Sequence, residues 1–315
     1  MTDRIIDISE TSAFLKIQNH LLVIELPDGK KHSMPTSDIA ALVISNRAVA
    51  MTHAVLAEVT GSGGIIVVCD DKHLPAGMML PMQHHYIQTE RFRLQAAASE
   101  PVIKRLWQQL IREKVSNQGI LLKAVNGDDC GLGLLAGKVR SGDPDNIEAR
   151  AARIYWQALF PDNPDFKRER FGDDFNPMLN YGYAILRSAV ARAVCGAGLH
   201  PTIGVNHHNR YNPFCLADDL MEPFRPLVDR AVVRIAAAGG IPEELDKTVK
   251  AALIKAVLVR VSLNDEAVTL FDALARAASS LAMTFENKRK DIILPEDIFC
   301  EWETDEDGKG IKKQT

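Results

Sequence analysis

The side chains most able to bind a metal together lie in residues 204–225, which read GVNHHNRYNPFCLADDLMEPFR. The acids at 218, 219 and 222 have helical spacing, so they would crowd like charge onto one helix face, at about 0.2–0.5 kcal/mol per pair. A chain tolerates this if the acids are solvated, if basic side chains pair with them, or if a cation binds. Imidazole and carboxylate groups are typical ligands of hydrolytic and phosphoryl-transfer metal sites. The candidates are His207, His208, Asp218, Asp219 and Glu222.

Ordinary structural roles also explain these residues. Glu222 has Arg225 three residues later, which would give a surface ion pair. Pro223 places a helix start or a bend beside the acids. Asp218 and Asp219 could be acids that favour the positive end of a helix dipole. The residues of this window alone leave a metal site and a structural role both open.

A metal site needs ligands from more than one segment, and Glu148 is the candidate from outside the window. It lies in the first turn of a helix that we expect to begin at Asp143-Pro144-Asp145. Ala151 and Ala152 occupy the positions three and four residues later, so no basic residue on its own helix face pairs with it. We therefore predict a carboxylate without a salt-bridge partner. The alternative is that Glu148 only stabilises the helix dipole.

Basic residues near Glu148 form local patches in a chain whose formal net charge is -4. That net charge gives no general positive field, so any binding of nucleic acid must come from such patches. Lys138 and Arg140 precede the expected helix, and Arg150 and Arg153 lie on it. Each alone is typical of a solvated surface, but together they suit a phosphate backbone. We predict these four residues as DNA contacts.

Composition indicates an intracellular globular protein. The 315 residues, 46% hydrophobic and 25% charged, are enough for two domains. The five cysteines have no CxxC spacing, which argues against a disulfide framework or a zinc ribbon and favours a reducing compartment. The start, MTDRIIDISE, is not typical of a signal peptide, and no apolar run is long enough to cross a bilayer. We expect a cytoplasmic protein that does not contact membranes.

The hydrophobic pattern predicts an α+β protein with a small β-rich N-terminal domain followed by a larger all-α domain. Short apolar runs separated by turn signals predict the strands, and apolar residues at helical spacing dominate after Pro81. We expect strands at 4–9, 12–18, 21–26, 39–45 and 65–69, and helices at 48–60, 88–98, 101–124, 144–160, 177–197, 217–238, 245–263 and 267–284. A Gly-rich connection is expected at 126–145. The predicted domains are 1–85 and 86–300, with a charged, disordered tail at 301–315.

Long segments of the chain are similar to a known family. They are DPDNIEARAARIYWQALF (143–160), NPMLNYGYAILRSAVAR (176–192), HHNRYNPFCLADDLMEPFRPLVDR (207–230) and the shorter CDDKHLP (69–75). In this order they resemble the CRISPR adaptation integrase, the CRISPR-associated endonuclease that inserts new spacers, in its type II form. The resemblance extends over most of the chain, to about residue 300, and implies the same two-domain layout.

The resemblance also implies a set of site residues. The metal ligands would be Glu148, His207 and Glu222, and the family's spacing favours His207 over His208. Asp219 would be a supporting acid. Some relatives have an aspartate where this chain has Glu222, a departure shared by type II members that changes reach but not charge. The implied cofactor is Mg²⁺ or Mn²⁺, and His207 could alternatively transfer a proton.

The activity that the resemblance implies is insertion of short DNA segments into a CRISPR array, by attack of a DNA 3′-hydroxyl at the repeat ends. The implied partners are double-stranded DNA, a second copy of the chain through the N-terminal domains, a small ferredoxin-fold adaptation protein, and the type II effector nuclease. Two alternatives use the same residues: a general metal-dependent nuclease on branched DNA, with water as nucleophile, and a non-catalytic DNA-binding scaffold.

Overall fold

The first part of the chain forms two four-stranded sheets and one α-helix. The computed structural model describes residues 3–70, 75–81, 85–163, 165–169, 172–242, 244–300, 302–304 and 310–312. The elements of the first part are β1 (Arg4–Ile8), β2 (Phe14–Gln18), β3 (Leu21–Glu25), β4 (Lys31–Pro35), a 3₁₀ turn (Thr36–Asp38), β5 (Ile39–Ile44), β6 (Ala50–Met51), α1 (His53–Gly61), β7 (Ile65–Cys69) and β8 (Pro75–Met79).

The sheet that contains β5 joins the two parts of the molecule. Its strand order is β1-β5-β7-β8, with β1, β5 and β7 parallel and β8 antiparallel, and the other sheet has the order β4-β3-β2-β6. Every residue of β5 is buried because both faces of the sheet are covered. Leu42 and Ile44 face the N-terminal core with α1, whereas Ala41 and Val43 pack into the core of the helical part.

The rest of the chain is mostly helical, which confirms the predicted α+β class with a β-rich first part. Its elements are α2 (Gln88–Ala96), α3 (Glu100–Asn126), α4 (Leu132–Lys138), α5 (Ile147–Leu159), α6 (Asn176–Gly196), α7 (Cys215–Met221), a second 3₁₀ turn (Glu222–Phe224), α8 (Arg225–Gly239), α9 (Lys247–Lys255), β9 (Arg260–Leu263), β10 (Glu266–Thr269), α10 (Leu270–Phe285), β11 (Trp302–Thr304) and β12 (Gly310–Lys312). In the described part of the chain, no helix is both long and apolar enough to cross a membrane.

The prediction that the second part is purely helical is wrong in one segment. Strands β9 and β10 form an antiparallel hairpin where the sequence pattern predicted helices at 245–263 and 267–284. The turn residues Asn264 and Asp265 have φ of 52° and 61°, the left-handed values that tight two-residue hairpin turns require. The connection predicted at 126–145 likewise contains a helix, α4, and strands β4 and β8 were not predicted.

The tail, which was predicted to be disordered throughout, contains two short strands. Strands β11 and β12 pair in antiparallel register within it, so the prediction is wrong for these six residues. The other tail residues lie outside the described part of the chain, as do 71–74 of the CDDKHLP segment and 82–84 beside the predicted domain boundary. The residue ranges assigned to the two domains remain a prediction.

Helix α3 is the central element of the helical part. It begins at Glu100 and ends at Asn126. The next residue, Gly127, has a φ of 81°, and this left-handed conformation stops the helix. It packs against α4, α5, α8 and the 3₁₀ turn at Glu222–Phe224. Polar residues interrupt its buried apolar stripe, among them Lys114, Asn117 and Gln118. Side chains from one face of α3 therefore reach both segments that carry candidate ligands, which are α5 with Glu148 and the 3₁₀ turn with Glu222.

Close packing of α6 on α8 fixes the position of the 3₁₀ turn that carries Glu222. Gly182 of α6 faces Val228 of α8, and a Cβ added at Gly182 would collide with Val228 Cγ1. The absence of a side chain at this position lets the two helices approach. Helix α8 follows directly on the 3₁₀ turn, so this contact also holds the turn in place.

We predict that Gly182→Ala lowers the free energy of unfolding by about 1–3 kcal/mol, because the added methyl group overpacks the interface. Urea denaturation measures the change. Gly137→Ala in α4 is the matched control, since an added Cβ there meets nothing within 4 Å. Adding Val228→Ala should remove the collision, so the double variant should lose less stability than the two single variants together. Strict additivity would contradict the proposed contact.

Candidate metal centre

Each of the three clustered acids has a different partner. Asp218 accepts hydrogen bonds from Arg187 Nε at 2.6 Å and Asn212 Nδ2 at 2.7 Å, and it is only 6% exposed. It lies in the first turn of α7, as the helix-start interpretation predicted. It is not solvated, however, because it is buried and forms an ion pair with Arg187. The like charge of the window is therefore balanced by neighbouring groups of this chain.

Asp219 organises the loop that carries the histidines. It is fully buried, and its Oδ2 accepts hydrogen bonds from the backbone N–H groups of Val205 at 2.5 Å and Asn206 at 2.9 Å. The loop passes so close that a Cβ at Gly204 would meet the His207 carbonyl oxygen, and would lie 2.9 Å from Asp219 Oδ2. Asp219 thus fixes the backbone conformation of the residues before His207.

Asp219 also orients the imidazole of His207. The distance from His207 Nδ1 to Asp219 Oδ1 is 2.5 Å, and the ring lies edge-on to Trp107 with 5.9 Å between centroids. The hydrogen bond to Asp219 raises the pKa of His207, against the opposing effect of burial, and the charge of Glu222 adds to it. With Nδ1 engaged, Nε2 is the atom left to bind a metal or transfer a proton. His208, by contrast, is exposed.

Glu148 and Glu222 meet at a lysine. Lys114 of α3 places Nζ 2.7 Å from Glu148 Oε1 and 2.7 Å from Glu222 Oε2. The prediction that Glu148 lacks a salt-bridge partner is therefore wrong: the partner comes from another helix, which spacing along α5 cannot reveal. The predicted pair of Glu222 with Arg225 is present at 2.9 Å, but Glu222 is 3% exposed, so the pair is buried rather than on the surface.

The charges of this cluster are mutually stabilised. Burial alone would lower the pKa of Lys114, but Glu222 and Glu148 outweigh it and raise that pKa. Burial alone would raise the pKa of Glu222, but Arg225 and Lys114 outweigh it and lower that pKa. Lys114 and Glu222 are therefore both held in their charged forms at neutral pH.

Local backbone contacts fix both carboxylates. Asp143 accepts hydrogen bonds from the N–H groups of Ile147 and Glu148, each at 2.9 Å. Glu148 therefore lies in the first turn of α5 as predicted, although the helix begins at Ile147 and not at the predicted residue 144. Asn117 Nδ2 donates to the carbonyl of Pro223 at 2.9 Å and so ties the 3₁₀ turn to α3. That turn interrupts the single helix predicted at 217–238, and Pro223 produces the bend that the sequence indicated.

The donor set fits a divalent cation. Carboxylate oxygen and imidazole nitrogen are suitable donors for Mg²⁺ or Mn²⁺. Glu222 Oε2 is buried and lies 2.7 Å from the Lys114 ammonium, while Arg225 pairs with the other oxygen of the same carboxylate. Within the described ranges, no three acidic, histidine or cysteine side chains converge closely enough to hold one ion. The structure thus brings Glu148 and Glu222 together at Lys114, and places His207 beside them with Asp219.

The four residues predicted to contact DNA are all exposed, and Arg140 also has an ion-pair partner. Arg140 makes a two-point ion pair with Asp145, through Nε at 2.8 Å and Nη2 at 2.7 Å. Lys138, Arg150 and Arg153 are exposed. Their role in DNA binding stays a prediction.

Sequence reasoning missed Lys114 and Gln118. Lys114 is 9% exposed and Gln118 is 4% exposed, so both lie on the buried face of α3. Lys114, Asn117 and Gln118 stand at i, i+3 and i+4 inside an apolar stripe. Polar residues at the spacing of a buried helix face are the signal that could have found them.

We predict that Lys114→Met lowers the free energy of unfolding in EDTA by about 3–5 kcal/mol, because it leaves two neighbouring carboxylates without their common cation. Urea denaturation checks this. Lys104→Met removes the same charge from the same helix, where Lys104 forms an exposed pair with Glu100, and should have little effect. Equal losses in the two variants would show that the cluster around Lys114 does not contribute as described.

Comparison with known proteins agrees with the sequence resemblance. The family model for CRISPR associated protein Cas1 matches residues 6–141 and 143–269. The chain is 36% identical to a CRISPR-associated endonuclease Cas1 of Neisseria meningitidis over 90% of this chain and 92% of the relative. It is 30% identical to one from Saccharolobus solfataricus over 80% and 84%.

Solved structures with similar folds include a casposase bound to an integration product, with TM-score 0.76 and 19% identity, covering 93% of this chain and 92% of that one. A Cas1 protein from Thermotoga maritima has TM-score 0.74 and 17% identity over 91% of this chain and 98% of that one. At such low identities, these structures show only that the fold is similar. The family model and the sequence relatives, in contrast, match most of the chain. The chain belongs to the Cas1 family of CRISPR-associated proteins.

Proposed function

We propose that this chain is a metal-dependent DNA endonuclease and integrase of the type II form. It would insert short DNA segments into a CRISPR array by transesterification, with a DNA 3′-hydroxyl attacking at the repeat ends. Membership of the Cas1 family supports the nuclease and integrase class. The similar fold of a casposase that is bound to an integration product supports strand joining rather than cleavage alone.

The observation that carries the proposal is the meeting of two carboxylates from different segments beside an oriented imidazole. Glu148 and Glu222 each lie 2.7 Å from one ammonium group, and Asp219 directs His207. Two carboxylates and a histidine are also donor types that bind a divalent cation, which supports the proposed site.

In the proposed mechanism, Glu148, His207 and Glu222 would hold Mg²⁺ or Mn²⁺. A bound divalent ion supplies Lewis acidity toward the scissile phosphate and stabilises the leaving oxygen. Asp219 keeps His207 Nδ1 occupied, so that Nε2 is left for the reaction either as a ligand or as the atom that carries a proton. The nucleophile belongs to the DNA, so no protein nucleophile is required.

The proposed partners follow from the same family membership. One relative in structure is a Cas6-RT-Cas1–Cas2 complex, with TM-score 0.73 and 20% identity. We propose that this chain acts in the cytoplasm on double-stranded DNA, as a homodimer through its N-terminal part. A small ferredoxin-fold adaptation protein would complete the complex, with the type II effector nuclease as a further partner.

We predict that Glu148→Ala and His207→Ala each reduce strand joining by at least ~100-fold, because each removes a ligand or proton carrier from the reaction. The assay supplies DNA with free 3′ ends, a repeat-containing plasmid, the partner protein and Mn²⁺. Glu100→Ala, at an exposed acid on α3, is the control and should keep full activity.

Three other results would separate the alternatives. Cleavage without joining by the unaltered protein would indicate a general nuclease with water as nucleophile. Unchanged joining by both folded variants would place the metal elsewhere. Joining that persists in EDTA would contradict metal dependence.

A further inference from the structure

A second polar cross-link, in addition to Lys114, joins the helices around the proposed ligands. The hydroxyl of Tyr155 on α5 donates a hydrogen bond to Asp229 Oδ2 on α8 at 2.7 Å, and the hydroxyl of Tyr183 on α6 donates to Asp229 Oδ1. All three side chains are buried, and Asp229 is only 1% exposed. One carboxylate thus binds a tyrosine from each of two other helices, and we call these three residues the Asp229 cluster.

The spacing along the chain aligns this cluster with the proposed ligands. Tyr155 lies seven residues after Glu148, and Asp229 lies seven residues after Glu222. Seven residues make about two turns of a helix, so each later residue lies on nearly the same face as the ligand before it. Glu148 and Glu222 meet at Lys114. Two turns further along both segments, Tyr155 meets Asp229. The two segments therefore run side by side in the same direction and are joined at two levels.

Arg225 connects the cluster to Glu222 by a second route. Its Nε pairs with Glu222 Oε1 at 2.9 Å, and its guanidinium lies over the Tyr183 ring at 4.7 Å from the centroid. Such a cation–π contact favours one placement of the guanidinium over the ring. Because the hydroxyl of Tyr183 is bound to Asp229, the ring itself has a fixed position. The orientation of the Glu222 carboxylate therefore depends on the Asp229 cluster as well as on Lys114.

The cluster keeps a charged group in the protein core. Burial raises the pKa of Asp229 to about 6, while the hydroxyls of Tyr155 and Tyr183 lower it, so the carboxylate form predominates at neutral pH. Taking a charge out of water is costly, and apolar side chains of similar volume are often at least as stabilising in such positions. Hydrogen bonds to a carboxylate are directional, however, and they fix where their donors lie. Asp229 therefore fixes the relative positions of α5, α6 and α8.

We propose that the Asp229 cluster positions Glu148 and Glu222 for the metal ion. A divalent cation bound between the two carboxylates would displace Lys114, and the first cross-link between the segments would be lost. The cross-link through Asp229 would remain and would keep the carboxylates at the separation that one ion requires. The three residues of the cluster act through the ligands and not on the reacting atoms, so they are positioning residues. This inference rests on the proposed function, which assigns the two glutamates to the metal.

The test measures Mn²⁺ binding by the full-length protein without DNA, from the electron paramagnetic resonance signal of free Mn²⁺. Tyr155→Phe removes one hydroxyl and keeps the ring. It should weaken Mn²⁺ binding at least about tenfold, because Glu148 loses its fixed position relative to Glu222. Tyr183→Phe keeps the ring beneath Arg225 and should also weaken binding. This second variant keeps the test decisive if Tyr155→Phe does not fold.

Tyr181→Phe is the matched control. Tyr181 is also buried on α6, and its hydroxyl also donates to a carboxylate, that of Asp7 on β1 at 3.3 Å, in the N-terminal sheet. Urea denaturation records the stability that each variant loses with its hydrogen bond. Only the variants of the Asp229 cluster should also lose Mn²⁺ affinity, whereas Tyr181→Phe should bind Mn²⁺ like the unaltered protein. Equal Mn²⁺ affinity in the folded variants of the cluster and in the control would overturn the proposal.

Glu148→Ala, measured in the same way, separates this inference from the proposed function. If the unaltered protein binds Mn²⁺ and Glu148→Ala does not, but Tyr155→Phe binds as tightly as Tyr181→Phe, the positioning role is wrong and the metal site stands. If the unaltered protein binds no Mn²⁺, or if Glu148→Ala binds it equally well, the proposed metal site is wrong and the positioning role is overturned with it.

Discussion

The buried ammonium group of Lys114 is the interaction on which the rest of the site depends. It lies 2.7 Å from a carboxylate of α5 and 2.7 Å from a carboxylate of the 3₁₀ turn between α7 and α8. Taking such charges out of water costs several kcal/mol per ion, so the cluster is stable only if the geometry of all partners is closely fixed. The packing of α3 against α5 and the turn provides that geometry.

Supporting contacts keep the carboxylates and the imidazole in place. Asp143 caps α5 beside Glu148, Asn117 holds the turn at Pro223, and Asp219 fixes the loop before His207. Each of these contacts uses a side chain other than the three proposed ligands. Asp219 thereby engages His207 Nδ1 and not Nε2, while Glu222 Oε2 faces the Lys114 ammonium at 2.7 Å, so the proposed metal would have to displace Lys114.

The sequence predicted the elements better than their contacts. Glu148 at a helix start, the bend at Pro223 and the strand β5 follow from local signals such as caps, proline and apolar runs. The Asn264-Asp265 turn was missed because helical spacing of the flanking apolar residues outweighed it. Lys114 was missed because spacing along one helix shows which face a residue occupies, but not which other helix covers that face. Ion pairs between distant segments are therefore outside what a single sequence pattern can predict.

The most direct test of the proposed metal site is a crystal structure of the protein grown with Mn²⁺, measured by anomalous diffraction. We expect an anomalous peak in contact with Glu148, Glu222 and His207, with the Lys114 ammonium displaced from between the two carboxylates. A structure in which Lys114 still bridges Glu148 and Glu222 while Mn²⁺ binds elsewhere, or not at all, would rule out this site.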